Sequence, residues 1–280
     1  MLREFRSLAV VAAASFFGGA PLLAAADDAP MPNVQVEKTL SPSGFSLSAG
    51  ATYWTGDFGF PTRSHLFSAA LSARYAAADI RVWATLPWMS VRSDATLFAG
   101  MDGGPIFVSA ATPPQGRERE GLGDLTLGGT WTAVDGGLSA PTVDLTTRLK
   151  LPTASDSSGL STGKTDVALS ADVSMPVGGI IPYISGGYTF LGDPDGFDLR
   201  NPISAAAGFS APIGPREAGV LVLAYEYDRS SSAVFGDRHE LFGALSFDVA
   251  QRINLTGYAT VGLNDAAADT AVGLLTTFAF

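Results

Sequence analysis

Read at every second position, residues 43–280 fall into about twelve segments in which apolar residues alternate with small or polar ones. Each segment has the length of a membrane-crossing β-strand. The last is the clearest. Val272, Leu274, Thr276, Phe278 and Phe280 share one face, and Ala271, Gly273, Leu275, Thr277 and Ala279 share the other. The first runs from Gly44 to Gly56 with Phe45, Leu47, Ala49, Ala51 and Tyr53 on one side, and the second from about Leu66 to Ala76. In the third, Ile80, Val82, Ala84, Leu86 and Trp88 oppose Arg81, Trp83, Thr85 and Pro87. In the fourth, Leu125, Leu127, Gly129 and Trp131 oppose Asp124, Thr126, Gly128 and Thr130. The fifth sets Val143, Leu145 and Leu149 against Asp144, Thr146, Arg148 and Lys150; the sixth sets Val167, Leu169 and Val173 against Asp166 and Asp172. Six more segments lie near 180–191, 202–211, 219–228, 239–249, 253–263 and 270–280. Two of them are ambiguous in phase, because Tyr183 and Tyr258 fall on the side expected to be polar.

Connections support the same reading. Ala76–Asp79, Val177–Gly179, Gly214–Arg216 and Ala250–Arg252 are tight turns, whereas 57–65, 92–120, 152–164, 191–201, 229–238 and 264–269 are longer. With the last strand running inward, every long connection falls outside and every short one inside, which is the rule for outer-membrane barrels. Prolines 141, 152, 176, 182, 202 and 212 fall at the segment ends, and Pro87 is expected just before an outer end, because proline cannot donate to a strand ladder. Aromatic residues gather at the two rims, Trp88, Tyr188, Phe190, Tyr225 and Tyr227 outside and Tyr75, Trp131, Phe247 and Phe280 inside. The expected fold is therefore all-β: a transmembrane antiparallel β-barrel of about twelve strands in the bacterial outer membrane. Its terminal Phe280 is the expected handle for the barrel-assembly machinery, and membrane lipid is its expected surroundings.

Composition fits a barrel better than a soluble secreted protein. The chain is 46% hydrophobic and only 16% charged, yet no run reaches about 18 consecutive apolar residues after the N-terminus. Residues 1–26 read as a signal peptide: Arg3 and Arg6, an apolar run from Ser7 to Phe17, then Ala24-Ala25-Ala26 before Asp27. Residues 27–42, with three prolines, are expected to be a periplasmic N-terminal segment or a plug threaded inward. Removing the leader, whose Arg3, Arg6 and Glu4 sum to +1, takes the formal charge from −10 to −11. An acidic chain without a basic patch excludes nucleic acid as a partner. There are no cysteines, and a closed barrel needs no disulfide because its ladder satisfies the backbone.

Candidate chemistry lies on the inward faces. Arg74, Arg81, Arg148 and Lys150 are set against Asp124, Asp144, Asp166, Asp172, Glu226 and Asp248, as a self-neutralising wall or a charge-tuned solute pathway. Asp124, Arg148, Lys150 and Asp166 are expected to form one inward cluster near the outer rim. Loop 92–120 carries Phe98, Met101, Ile106 and Phe107, expected either to fold over the lumen as an apolar gate or to stand above the membrane as a hairpin. A hydrolase needs a nucleophile beside a base. The only histidines, His65 and His239, lack the His-x-Ser spacing of outer-membrane phospholipases and lipid A deacylases. Two isolated histidines also make a poor metal site, and Asp193–Asp198 lacks the closing Glu of a calcium loop. No enzyme activity, metal or cofactor is expected.

Four motifs carry a resemblance. Leu86-Pro87-Trp88, Gly121-Leu122-Gly123-Asp124-Leu125-Thr126-Leu127-Gly128, Leu149-Lys150-Leu151-Pro152-Thr153 and Thr162-Gly163-Lys164-Thr165-Asp166 resemble the successive hallmarks of a bacterial outer-membrane family. It is the transporter-like family named for the MetA pathway of phenol degradation, and the resemblance spans roughly residues 43–280. It implies a monomeric barrel, encoded near aromatic-degradation genes, through which small hydrophobic or aromatic solutes enter passively. One departure is visible: Pro152-Thr153 continues Ala154-Ser155-Asp156 where the family pattern has Gly-Asp. Two other classes stay open on the residues alone, a structural or adhesion barrel with a plugged lumen and a lipid-modifying enzyme.

Overall fold

Lipid-facing alternation folds into an up-and-down sheet whose ends meet. The computed structural model describes residues 44–280 apart from 61, 102–104, 111–116, 138, 155–159, 194–198, 215–217 and 234, and gives the backbone alone for 95–97, 99, 105–110 and 117. The expected leader 1–26 and segment 27–42 lie outside the described residues. The strands are β1 Gly44–Gly56, β2 Ser64–Ala77, β3 Ile80–Ser93, β4 Ala95–Ala99, β5 Pro105–Ala110, β6 Arg117–Leu122, β7 Leu125–Val134 and β8 Thr142–Leu151. They continue as β9 Asp166–Ser174, β10 Ile181–Phe190, β11 Ile203–Ile213, β12 Gly219–Asp228, β13 Arg238–Ala250, β14 Ile253–Gly262 and β15 Thr270–Ala279. Apart from the β4–β5 hairpin, all belong to one antiparallel sheet. β1 pairs with β15, Ser46 opposite Ala279 through Thr55 opposite Thr270, and this pairing closes the barrel and leaves no open edge. β6 and β7 share one place in the wall, both against β3, so the barrel has twelve staves.

The two faces are sorted as the alternation requires. Leu71 is 68% exposed and Ile184 62%, while the serines, threonines and charged residues between such positions are buried. That is the inverse of a soluble protein, and lipid is what covers the outside. Each leucine or isoleucine moved from water into lipid contributes roughly 1.5–3 kcal/mol. The expected girdles are present. Tyr188 stacks edge-on with Phe190 and Phe67 with Trp88 at the outer rim; Phe45 meets Phe280 at the inner rim. Phe280 also donates its backbone N–H to the Phe45 carbonyl.

The structure corrects three expectations around loop 92–120. Strand β3 does not end near Trp88 but runs to Ser93, and 117–122 is strand rather than loop, so the excursion outside the wall is shorter. Pro87 consequently sits in the middle of a strand. It is tolerated because the partner of β3 changes there: Thr85 still faces Thr126 of β7, but Trp88 already faces Leu122 of β6. Gly123 N–H donates to the Pro87 carbonyl across this irregularity. A Cβ on Gly123 would lie 2.9 Å from the Pro87 ring, so the bulge fits proline opposite glycine. Gly121 and Gly123 therefore belong to a bulge within one stave.

Candidate functional site

The inward residues of three motifs converge at the outer rim. Lys150 Nζ lies 2.6 Å from Asp166 Oδ2 and 3.3 Å from Asp124 Oδ2, and no part of these side chains reaches solvent. Lys150 also donates to Thr162 Oγ1 at 3.1 Å. Asp124 accepts from the Ala154 N–H and the Ser161 hydroxyl, Asp166 accepts from the Gly192 N–H, and Leu125 N–H donates to Thr153 Oγ1. The lysine thus ties two extracellular loops, 152–165 and 191–202, to β7, β8 and β9. Arg148 lies one inward step lower, opposite Gly128 and Ala168.

The remaining nominated charges spread along the inner wall. Arg81 Nη2 lies 2.9 Å from Asp144 Oδ1, an ion pair without hydrogen-bond alignment, and Thr132 donates to the same oxygen. Asp172 faces Asp144 directly across β8 and β9. Arg74 is buried on β2 toward the periplasmic end. Glu226 faces Glu240 across β12 and β13, and Asp228 pairs with Arg238 one step above at 3.0 Å. Asp248, at the periplasmic end, accepts from the Asn254 amide.

The mouth also carries an apolar cluster. Trp54, Leu66, Met89 and Val91 point inward at the outer ends of β1, β2 and β3. Loops add Phe58 and Phe60, Leu160, Ala268 and Phe235 to the same cluster. The rings of Phe60 and Phe235, from loops separated by two staves in the wall, are 5.0 Å apart. Phe58 is buried at a φ of +53°, a left-handed backbone that disfavours a bulky side chain, so the loop holds this ring inward against its own preference. Glycines let another loop lean in. A Cβ on Gly262 would lie 2.3 Å from the Ala268 carbonyl oxygen, and one on Gly56 would lie 2.8 Å from the Asp269 backbone nitrogen. The β14–β15 loop therefore folds over both positions, and Ala267 and Ala268 are buried.

The gate candidates divide. Phe98, on the hairpin rooted between β3 and β6, packs with Leu191 and Leu199 of the loop after β10. β7, β8 and β9 separate those roots in the wall, so Phe98 meets a loop three staves away. Met101 is fully buried. The side chains of Ile106 and Phe107 lie outside the described residues, although their backbones belong to β5.

The alternation missed the inward rings. Tyr258 lies over Gly273, and its hydroxyl shares a 2.7 Å hydrogen bond with Thr52; Trp83 lies over Gly128. A Cβ at either glycine would sit within 2.1 Å of the ring, so the missing side chain is what lets the ring lie against the wall. The signal was present as tyrosine or tryptophan out of phase beside glycine on the next strand.

Both histidines face the membrane side of the rim. His65 Nδ1 is 2.6 Å from the Tyr53 hydroxyl, and His239 Nδ1 is 2.5 Å from that of Tyr225. They are members of the aromatic girdle. His65→Ala and His239→Ala are expected to leave solute flux within about twofold of the parent while lowering the heat resistance of the barrel slightly, by about 0.5–1.5 kcal/mol per lost hydrogen bond. Gel mobility after heating and vesicle flux measure the two effects. Among the described residues no group of three or more histidine, aspartate and glutamate side chains is arranged to hold a metal ion.

No family model matches the chain, and no curated protein sequence does. Solved structures do. The chain is similar to the COG4313 outer membrane channel from Pseudomonas putida F1 at 14% identity and a TM-score of 0.66, over 86% of this chain and 97% of that one. It is similar to the KdgM porin at 8% identity and a TM-score of 0.50, over 83% of this chain and 99% of that one. At such identities the likeness establishes architecture: the protein has the fold of an outer-membrane β-barrel.

Proposed function

We propose that the barrel is an outer-membrane channel for the passive uptake of small hydrophobic or aromatic solutes. One observation carries this reading. The inward wall carries serines, threonines and buried charges, and one apolar cluster runs from Trp54, Phe58, Phe60, Leu66, Met89, Leu160 and Phe235 at the extracellular mouth down the wall through Phe242, Tyr258, Val222 and Val220. The rings and aliphatic side chains gathered there favour a solute that gives up water readily. The four motifs resembling the phenol-degradation family support the same solute class, and the COG4313 likeness supports a channel. The reading includes no catalysis, no cofactor and no nucleic acid, with membrane lipid outside and assembly through Phe280.

The hairpin tests the reading. Removing residues 98–108 frees Leu191 and Leu199 and uncovers part of the mouth. Vesicle flux of an uncharged aromatic is expected to change by at least about threefold; unchanged flux would remove the hairpin from the pathway. A second reading draws on the same packing. Loops that meet ring to ring above the lumen, with Lys150 locking two of them, would also suit a structural barrel that passes nothing. That barrel would show no flux before or after the deletion.

A further inference from the structure

Three buried oxygen acceptors that lie near one another in the wall of the mouth have no hydrogen-bond partner among the described residues. They are Oε1 of Glu226, Oε1 of Glu240 and Oγ1 of Thr260, on side chains that are 4%, 2% and 1% exposed. The strand register brings them together. Glu226 is directly opposite Glu240 on the neighbouring strand. Glu240 is opposite Gly262 of β14, and Thr260 is the next inward position below Gly262, diagonal to Glu240. The row beneath the carboxylates continues through Phe242, Thr260, Ala271 and Trp54. Two aromatic side chains, Phe242 and Trp54, therefore belong to the row beneath the acceptors. In the β14–β15 loop, the Ala268 backbone donates to Glu240.

The charge is not balanced locally. Arg238 is held by Asp228 at 3.0 Å, and its charge acts on both glutamates, so at the outer ends of β12 and β13 one cation stands against Glu226, Asp228 and Glu240. Buried carboxylates that face each other are costly unless a cation or a proton lies between them. A hydrated metal ion does not suit the place: two carboxylates and a hydroxyl leave most of its coordination to water, beside indole and phenyl rings. An ammonium group carried on an apolar body does. Its N–H groups match the three acceptors, and its body matches Trp54, Phe242 and the mouth rings, whose faces attract cations.

Resting on the channel reading above, we infer that the Glu226–Glu240–Thr260 row is a binding site for hydrophobic primary amines in their ammonium form. The site makes such amines a favoured class among the solutes the channel admits. Neutral aromatics use the rings alone, and aromatic carboxylates are repelled.

Titration calorimetry on the purified full-length barrel in detergent at neutral pH tests this with three probes of one shape: benzylamine hydrochloride, benzyl alcohol and sodium benzoate. Benzylammonium is expected to bind at least about tenfold more tightly than benzyl alcohol, and benzoate more weakly than both. The double variant E226Q/E240Q is expected to bring benzylammonium to the level of benzyl alcohol without changing the alcohol. Equal binding of benzylammonium and benzyl alcohol by the wild-type protein overturns the inference, whatever the variant does. It would mean that a shared proton neutralises the pair. Undiminished benzylammonium binding in a folded double variant overturns it as well. Failure of benzyl alcohol to bind or pass would instead count against the channel reading, so the two failures are distinguishable.

Discussion

Replacing Lys150 with methionine is expected to cost the folded barrel about 3–5 kcal/mol, the usual penalty for removing one member of a buried ion pair. Methionine preserves the length and most of the apolar stem, so packing changes little. What remains is Asp124 and Asp166, both sealed from solvent, without the ammonium that bridged them. The loss is expected in two observables. The temperature at which the barrel shifts to its unfolded gel mobility should fall by several degrees. Protease should cut loop 152–165 sooner, because Thr162 and the neutralised Asp124 are among its anchors. Replacing Asp124, Lys150 and Asp166 together with Asn, Met and Asn should recover most of the stability, since the penalty comes from unpaired charge. A single K150M variant as heat-resistant as the parent would show that the knot does not hold the rim.

The second large effect is expected at the mouth. Trp54→Ala with Phe60→Ala removes two rings from the apolar cluster, one from the wall and one from the β1–β2 loop. Each aromatic contact contributes roughly 0.5–1.5 kcal/mol beyond burial. Two together should raise the half-saturating concentration for an uncharged aromatic solute about tenfold. Sugar permeation should rise at the same time, because the side chains that narrow the mouth are smaller. Opposite movements of the two solutes separate a selective mouth from a general loss of folding, which would abolish or raise both. The sheet itself should survive: the ladder between β1 and β15 uses backbone groups that neither substitution touches.

The barrel was legible in the sequence because lipid imposes one rule on every stave. The phase of β1, β3, β8 and β15 follows from residues such as Leu47, Val82, Leu145 and Val272 alone. Pro87 was misplaced because its tolerance depends on a change of partner from β7 to β6, a long-range fact absent from local alternation. Tyr183 and Tyr258 looked out of phase for a related reason. Each is an inward ring, and for Tyr258 the explanation is Gly273 on the next strand. The rim knot was half legible. Period two puts Arg148 and Lys150 on one face, but that Lys150 stands directly opposite Asp166 depends on register. Glu240 and Arg238 were passed over as site residues because they open a strand beside a loop, where a charge usually meets water.

Reconstituted into lipid vesicles, the purified protein should admit a small uncharged aromatic such as benzyl alcohol well above the leak of protein-free vesicles, and should admit arabinose much more slowly. That result follows from the apolar cluster that begins at the mouth and continues down the wall. Equal acceleration of both solutes, or acceleration of neither, would contradict it.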